Sequence, residues 1–116
     1  MDDGWIRVMA EGELPLGKAV RAELEDGLQL FLYRTEDRIF ALDNRCTHMG
    51  GPLHRGPVRA NVAQPTVTCP VHGSTFWLSD GRVVRGPATK RQPVYQARIT
   101  DGMVEARPMP FEGAQP

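Results

Sequence analysis

The chain has 116 residues, a formal net charge of zero at pH 7, 41% hydrophobic residues and 24% charged residues. This length supports one small domain and excludes a second domain with a large substrate pocket. The balanced charge excludes general binding to nucleic acid, which requires a basic domain. Twelve glycines and ten prolines indicate many turns, and therefore short strands and long loops.

Alternating and β-branched segments predict an all-β protein. In chain order, the predicted strands are Trp5–Met9, Lys18–Leu24, Leu28–Arg34, Arg38–Leu42, Thr66–Thr68, Thr75–Leu78, Val94–Ile99 and Met103–Arg107. Turns ending in Gly27 and Gly102 predict that the strands on either side of each form hairpins. No helix is predicted, and residues 49–65 are expected to form a loop.

The N-terminal sequence predicts a cytoplasmic protein. Residues 1–5 are acidic and no apolar run follows them, unlike a secretory or transit peptide. The longest apolar run, Leu28 to Tyr33, falls far short of the roughly 20 residues of a membrane-spanning helix. We therefore expect no membrane partner. Residues 1–43 hold ten acidic and five basic residues, whereas the remainder holds four acidic and nine basic ones. This distribution is compatible with a basic docking patch near residues 46–72, and equally with charges scattered over solvated faces.

The two cysteines of the chain each lie close to a histidine. Cys46 and His48 form a Cys-x-His pair, and Cys69 and His72 form a Cys-x-x-His pair twenty residues further on. Thiolates and imidazoles together select zinc, copper or an iron–sulfur cluster, whereas magnesium and calcium prefer oxygen ligands. A four-ligand metal site is therefore predicted. A disulfide is the minor alternative, because a reducing cytosol disfavours it.

The kind of metal stays open on ligand type alone. Two cysteines and two histidines are typical of structural zinc, so a zinc-stabilised interaction module is one alternative. Zinc ligands usually come as a cysteine pair and a histidine pair, however, whereas each loop here contributes one of each. Mixed pairs suit a two-iron cluster that is held symmetrically by two loops.

The residues around both pairs resemble those of the Rieske [2Fe–2S] proteins. Residues 46–53, Cys-Thr-His-Met-Gly-Gly-Pro-Leu, are similar to the first cluster-binding loop of that family, and residues 69–76, Cys-Pro-Val-His-Gly-Ser-Thr-Phe, to the second. Gly86-Pro87-Ala88 resembles its proline-bearing covering loop. The resemblance spans about residues 4–107. The spacing between the pairs is a few residues longer than usual in the family, and we place the extra length in Val58–Pro65.

The resemblance implies a Rieske fold, with small antiparallel β-sandwich or barrel-like sheets and a cluster-binding subdomain of two loops plus the covering proline loop. One domain is expected over residues 1–116, with its core at about 4–107, cluster-binding loops at about 43–54 and 66–78, and a C-terminal tail at 108–116. The implied cofactor is one [2Fe–2S] cluster. Cys46 and Cys69 would hold its inner iron, and His48 and His72 its outer iron near the surface.

The residues around the ligands indicate a low redox potential. High-potential members of the family have an inter-loop disulfide where this chain has Gly51 and Val71, and a tyrosine where it has Phe76. Fewer donors to the ligand sulfurs lower the potential, so we predict a midpoint of roughly −150 mV rather than one toward about +300 mV. Ser74 is expected to donate to a bridging sulfide, and Pro87 to lie in the covering loop.

By this resemblance the protein is expected to be an electron carrier and not an enzyme. Four protein ligands leave the irons without an open position for substrate. The expected donor is a flavin-containing NAD(P)H reductase, and the expected acceptor is a terminal aromatic-ring-hydroxylating oxygenase. Both would dock transiently at the end formed by His48 and His72, and a basic rim there is predicted from Arg45, Arg55, Lys90 and Arg91. The alternative is the small subunit of an NAD(P)H nitrite reductase, a related fold that often lacks the ligands.

Overall fold

The computed structural model describes residues 4–60 and 62–109, and most of its regular structure is antiparallel β-sheet. In chain order the strands are β1 (Ile6–Ala10), β2 (Val20–Glu23), β3 (Gln29–Arg34), β4 (Ile39–Asp43), β5 (Val58–Arg59), β6 (Thr66–Thr68), β7 (Thr75–Trp77), β8 (Val83–Arg85), β9 (Val94–Thr100) and β10 (Met103–Pro108). Two 3₁₀ helices of one turn each lie at Glu11–Glu13 and Leu53–Arg55. None of the helices in this described part is long and apolar enough to cross a membrane.

Six strands form the larger sheet, in the order β1-β10-β9-β4-β3-β2. Its edge strands, β1 and β2, contact each other, so the sheet curls nearly into a barrel. Strand β3 is buried on both faces, because Leu30 and Leu32 join one apolar core while Phe31 and Tyr33 join another. This explains its unbroken apolar sequence, since alternate residues of a strand point to opposite sides.

The smaller sheet has the order β5-β6-β7-β8 and carries the second ligand loop between β6 and β7. Val67 on β6 pairs with Phe76 on β7, and both are completely buried. These side chains share a core with Phe31 of the larger sheet, and Cys46 and Cys69 belong to the same core. Both cysteines are therefore fixed by packing between the two sheets.

All eight predicted strands are confirmed, with ends that differ from prediction by at most two residues. Two strands were missed, β5 and β8, and β5 lies inside the predicted loop 49–65. They have only two and three residues, too few for a recognisable alternation, and they form because β6 and β7 offer hydrogen-bonding edges. The expectation of no helix was wrong for the two 3₁₀ turns.

Two sequence-based predictions fall partly outside the described residues. The predicted C-terminal tail begins inside β10, which ends at Pro108, and from residue 110 onward it lies outside the described part. The segment Val58–Pro65, to which we assigned the extra length, contains β5 and its connection to β6, and within it Asn61 is not described.

Candidate metal centre

The two ligand loops are closed by the same hydrogen bonds. In the first loop the Cys46 N–H donates to the Gly51 carbonyl at 2.9 Å, and the Gly50 N–H donates back to the Cys46 carbonyl at 2.7 Å. In the second loop Cys69 donates to Ser74 at 2.7 Å, and Gly73 donates back to Cys69 at 3.1 Å. Gly50 and Gly73 have φ angles of +75° and +83°, the left-handed region in which a side chain is strained. Each loop therefore needs glycine four residues after its cysteine.

The two cysteines are buried, and the two histidines lie nearer the surface. Cys46 and Cys69 are 4% and 3% exposed, and their side chains are within hydrogen-bonding reach of each other. His48 is half-buried and His72 is exposed. The two imidazole rings lie edge to face, with centroids 5.2 Å apart. The fold thus sorts the four predicted ligands into an inner thiol pair and an outer imidazole pair.

This sorting suits a two-iron cluster better than one zinc ion. Structural zinc is held by four ligands around one point. In residues 4–60 and 62–109 no three His, Cys, Asp or Glu side chains form a group that could hold a single metal ion. A pair at each end is instead what a cluster with two thiolates on one iron and two imidazoles on the other requires. Both cysteines are free thiols, so the disulfide alternative was wrong.

Burial raises the pKa of the Cys46 thiol, and the neighbouring Cys69 shifts it in the same direction, although backbone hydrogen bonds from His48 and Met49 partly oppose this. Without a metal, the raised pKa favours the neutral form of the Cys46 thiol. Thiolate is the form that binds metal. The positive charge of a bound ion must therefore stabilise the thiolate, because the protein does not.

Gly51 allows the two loops to approach closely. A Cβ atom at this position would lie 2.6 Å from Cγ2 of Val71 and 2.7 Å from Sγ of Cys69. Val71 itself is 49% exposed. The two positions predicted to correspond to an inter-loop disulfide thus face each other, and here they pack as glycine against valine.

The predicted covering loop, Gly86-Pro87-Ala88, packs on the second ligand loop at Ser74. The buried Ser74 hydroxyl accepts a hydrogen bond from the Ala88 N–H at 3.0 Å, which leaves its own proton available as a donor. A Cβ atom at Gly86 would lie 2.5 Å from the Cα atom of Ser74. Pro87 is exposed between these two contacts. Pro87 therefore lies in this loop between two residues that contact Ser74, and its role toward the cluster stays a prediction.

Two buried amides were missed by the sequence analysis. Asn44 and Gln92 are completely buried, and both bond to the segments that flank the first ligand pair. His54 is only partly exposed, and its Nδ1 lies 3.0 Å from Nδ2 of Asn44. Asparagine and glutamine in turn-rich segments are usually exposed, so no local sequence signal would have identified these two as buried.

His54 should make stability fall under mildly acidic conditions. Burial lowers its pKa, and the charges of Arg21 and Arg55 add to this effect. The unfolded chain therefore takes up a proton near pH 6.5 while the native protein resists it. We expect the free energy of unfolding to decrease as the pH falls from about 6.5 through the lower native pKa, and to show no such loss above about 6.5.

Urea titrations at several pH values test this, with His54→Asn as the comparison. Asparagine keeps an acceptor near the position of Nδ1 and does not titrate. The difference in stability between the two proteins should shrink as the pH falls. A constant difference across this pH range would contradict the prediction.

The sequence around the two imidazoles is basic and includes exposed apolar side chains. No acidic residue occurs between Asp43 and Asp80 in the sequence. Arg45, Arg55 and Lys90 are exposed, whereas Arg91 is half-buried and its Nη2 donates to the Asp80 carbonyl at 3.1 Å. Three members of the predicted basic rim are thus exposed. Close to the histidines in the sequence, Met49 and Val71 are 67% and 49% exposed.

Comparison with known families decides the classification. The sequence profile described as the Rieske [2Fe-2S] domain matches residues 4–96. The chain belongs to the Rieske [2Fe–2S] family. One two-iron cluster of the Rieske type therefore goes with this fold, and the zinc alternative is set aside.

Three proteins similar to this Rieske chain were compared. It is 35% identical over 92 residues, 79% of its own length and 83% of the relative, to the 3-phenylpropionate/cinnamic acid dioxygenase ferredoxin subunit of Photorhabdus laumondii subsp. laumondii. It resembles a chain in the complex of reduced oxygenase and oxidized ferredoxin in carbazole 1,9a-dioxygenase, with a TM-score of 0.76, 25% identity and coverage of 89% and 92% of the two chains. It also resembles a putative NADH-dependent nitrite reductase small subunit from Mycobacterium tuberculosis, with a TM-score of 0.76, 29% identity and coverage of 91% and 96%.

Proposed function

We propose that this protein is a low-potential Rieske ferredoxin. It carries single electrons from an NAD(P)H-dependent flavin reductase to a terminal aromatic-ring-hydroxylating oxygenase. The observation that carries the proposal is the arrangement of its four donors, with buried thiols behind surface imidazoles. The name of its relative as a dioxygenase ferredoxin subunit supports the same function. We assign it to one domain and to the cytoplasm.

The chain's own residues would perform three tasks. Cys46 and Cys69 would hold the inner iron and His48 and His72 the outer one, and the bound cluster would supply one-electron redox chemistry. The core that encloses both cysteines excludes water from the thiol side. The half-buried His48 and the exposed His72 bring the other side to the surface, where an electron can pass to a partner. With four protein ligands, no position is left for a substrate, which fits a carrier.

Electron transfer with candidate partners tests this function directly. We expect NADH and a flavin reductase from the same organism to reduce the purified protein by one electron, and a terminal oxygenase from that organism to reoxidise it. Absorption spectra recorded anaerobically follow both steps. A colourless protein with stoichiometric zinc, or a midpoint above zero, would contradict the proposal.

A nitrite reductase subunit is the second candidate, because the structural likeness to the putative nitrite reductase small subunit is equally close. The two Cys-His pairs favour the ferredoxin, since the resemblance drawn from the sequence implies that such subunits often lack them. Nitrite-dependent oxidation of NADH, after the chain is added to a nitrite reductase large subunit, would favour this alternative instead.

We propose that partners dock at the imidazole end through its basic rim and exposed apolar side chains. Arg45 and Lys90 are exposed, and the sequence holds no acidic residue between Asp43 and Asp80. Such a surface fits a partner with an acidic rim around an apolar patch, because complementary charges mainly raise the association rate.

Reversal of one charge tests the docking surface. Lys90→Glu should slow association with the oxygenase by about three- to tenfold at low ionic strength, and added salt should reduce the difference. Lys18→Glu is the matched control, because Lys18 follows Leu16, which pairs with Arg34 at the end of β3 away from the first ligand loop. Equal effects of the two substitutions, or no effect of either, would count against docking at this end.

A further inference from the structure

Gln92 is completely buried, and its side chain binds three backbone groups of the first ligand loop. Its Nε2 donates to the carbonyl oxygens of Asp43 at 2.7 Å and Arg45 at 2.6 Å. Its Oε1 accepts from the Thr47 N–H at 3.1 Å. Two carbonyls need the donor end of the amide and an N–H needs the acceptor end, so only one orientation of the amide satisfies all three partners.

The backbone of Gln92 is fixed as firmly as its side chain. Its N–H donates to the Gly81 carbonyl at 2.7 Å, and the Gly81 N–H donates to Trp77 of β7 at 2.9 Å. Gly81 has a φ angle of +76°, and a Cβ atom there would lie 2.0 Å from the Gln92 carbonyl oxygen. This close packing leaves Gln92 no room to move toward Gly81. The amide is therefore presented to the loop from the smaller sheet.

The segment that ends at Gln92 contacts both ligand loops. At its start, the Ala88 N–H donates to Ser74 of the second loop at 3.0 Å. In its middle, the Lys90 carbonyl accepts from the Thr47 hydroxyl of the first loop at 2.7 Å. At its end, Gln92 makes the three bonds to the first loop. This segment thus joins the two loops, and Gln92 supplies most of the bonds on one side.

We propose that Gln92 is a positioning residue, which fixes the path of the first ligand loop and so sets the placement of Cys46 and His48. The three backbone groups that its side chain binds belong to Asp43, Arg45 and Thr47. Cys46 lies between two of the held groups, and His48 follows the last of them. The inference deepens the proposed carrier function and rests on its ligand set.

The bond from Thr47 also has an electronic consequence. It holds the peptide group that precedes His48. The backbone N–H groups of His48 and Met49 donate to the Cys46 sulfur, and a donor to sulfur stabilises the reduced, more negative cluster. Loss of the amide should therefore loosen the loop, weaken these donors and lower the midpoint potential.

Two substitutions of Gln92 test the proposal in the protein loaded with its cluster. Gln92→Met keeps a similar volume and removes all three hydrogen bonds, whereas Gln92→Asn keeps the amide but is shorter by one methylene. For methionine we expect iron release to a chelator to be about tenfold faster, because three partly buried backbone groups lose their partners. The equilibrium constant for one-electron reduction should fall about tenfold, which is about 59 mV. The g values of the reduced protein should change as well, and asparagine should fall between methionine and the wild type.

Val104→Ala is the control for a general loss of stability. Val104 is completely buried in the other core, and the ligand loops do not contribute to that core. Its substitution should lower the melting temperature without changing the g values or the midpoint. If the Gln92 variants match the wild type in all three measurements, or if Val104→Ala reproduces their changes, the positioning role is overturned while the carrier function stands. If Gln92→Met does not fold, Gln92→Asn decides. A wild-type protein that binds no iron would overturn the carrier function as well.

Discussion

Replacing Cys69 with alanine is expected to abolish binding of both irons. Cys69 is 3% exposed and shares a core with Cys46, so no other donor can reach its position without disturbing that core. The loss of one thiolate leaves the inner iron with a single protein ligand, which does not hold it. We expect the visible absorption to disappear, and the melting temperature to fall by at least about 5 °C because bound metal stabilises the folded state.

Val71→Ala is the matched comparison for this experiment. It lies in the same loop, two residues after Cys69, but its side chain is 49% exposed and donates nothing to a metal. Iron and sulfide should remain at the wild-type ratio in this variant. Iron retained by Cys69→Ala, or lost equally from both variants, would show that the ligand assignment is wrong.

Replacing Phe76 with tyrosine is expected to raise the midpoint potential. Phe76 is completely buried in the core that contains Cys69, and by the family resemblance a tyrosine hydroxyl at this position donates to a ligand sulfur. A hydrogen bond to a charged group contributes about 1.5 to 3 kcal/mol. Since a tenfold change in a one-electron equilibrium is about 59 mV, the increase should be at most about 120 mV.

Phe76→Leu distinguishes the effect of an added hydroxyl from the effect of changed aromatic packing. It removes aromatic packing and adds no donor, so it should lower stability by about 1 to 3 kcal/mol without raising the midpoint. A spectroelectrochemical titration of all three proteins measures the difference. The explanation of the low potential fails if Phe76→Tyr leaves the midpoint unchanged or lowers it.

Much of the site could be predicted because its determinants are local in the chain. The distance from each cysteine to its histidine, and the glycine four residues after each cysteine, are set within loops that close on themselves. Alternation of apolar residues gave the larger strands for the same reason, since a strand buried on one or both faces records that burial in its own sequence. The bounds of β3 differ from prediction by only one residue.

Prediction failed where an element depends on a neighbour distant in sequence. Strand β5 has two residues and exists because β6 lies beside it. The buried side chain of Asn44 hydrogen-bonds to His54, ten positions later, and no local pattern predicted this pair. Gln92 bonds to residues 45 to 49 positions away. Their sequence contexts are polar and rich in turns, which is equally typical of solvent-exposed loops.

The sequence by itself determined the four candidate ligands, the family and eight of the strands, because these depend on patterns along the chain. Only the tertiary structure decided that the two thiols lie together inside and the two imidazoles lie together outside. It also decided that Gly51 lets the loops meet and that Gln92 holds the first of them. The physical reason is that burial and hydrogen bonding between distant segments arise only when the two sheets pack, and no local pattern records them.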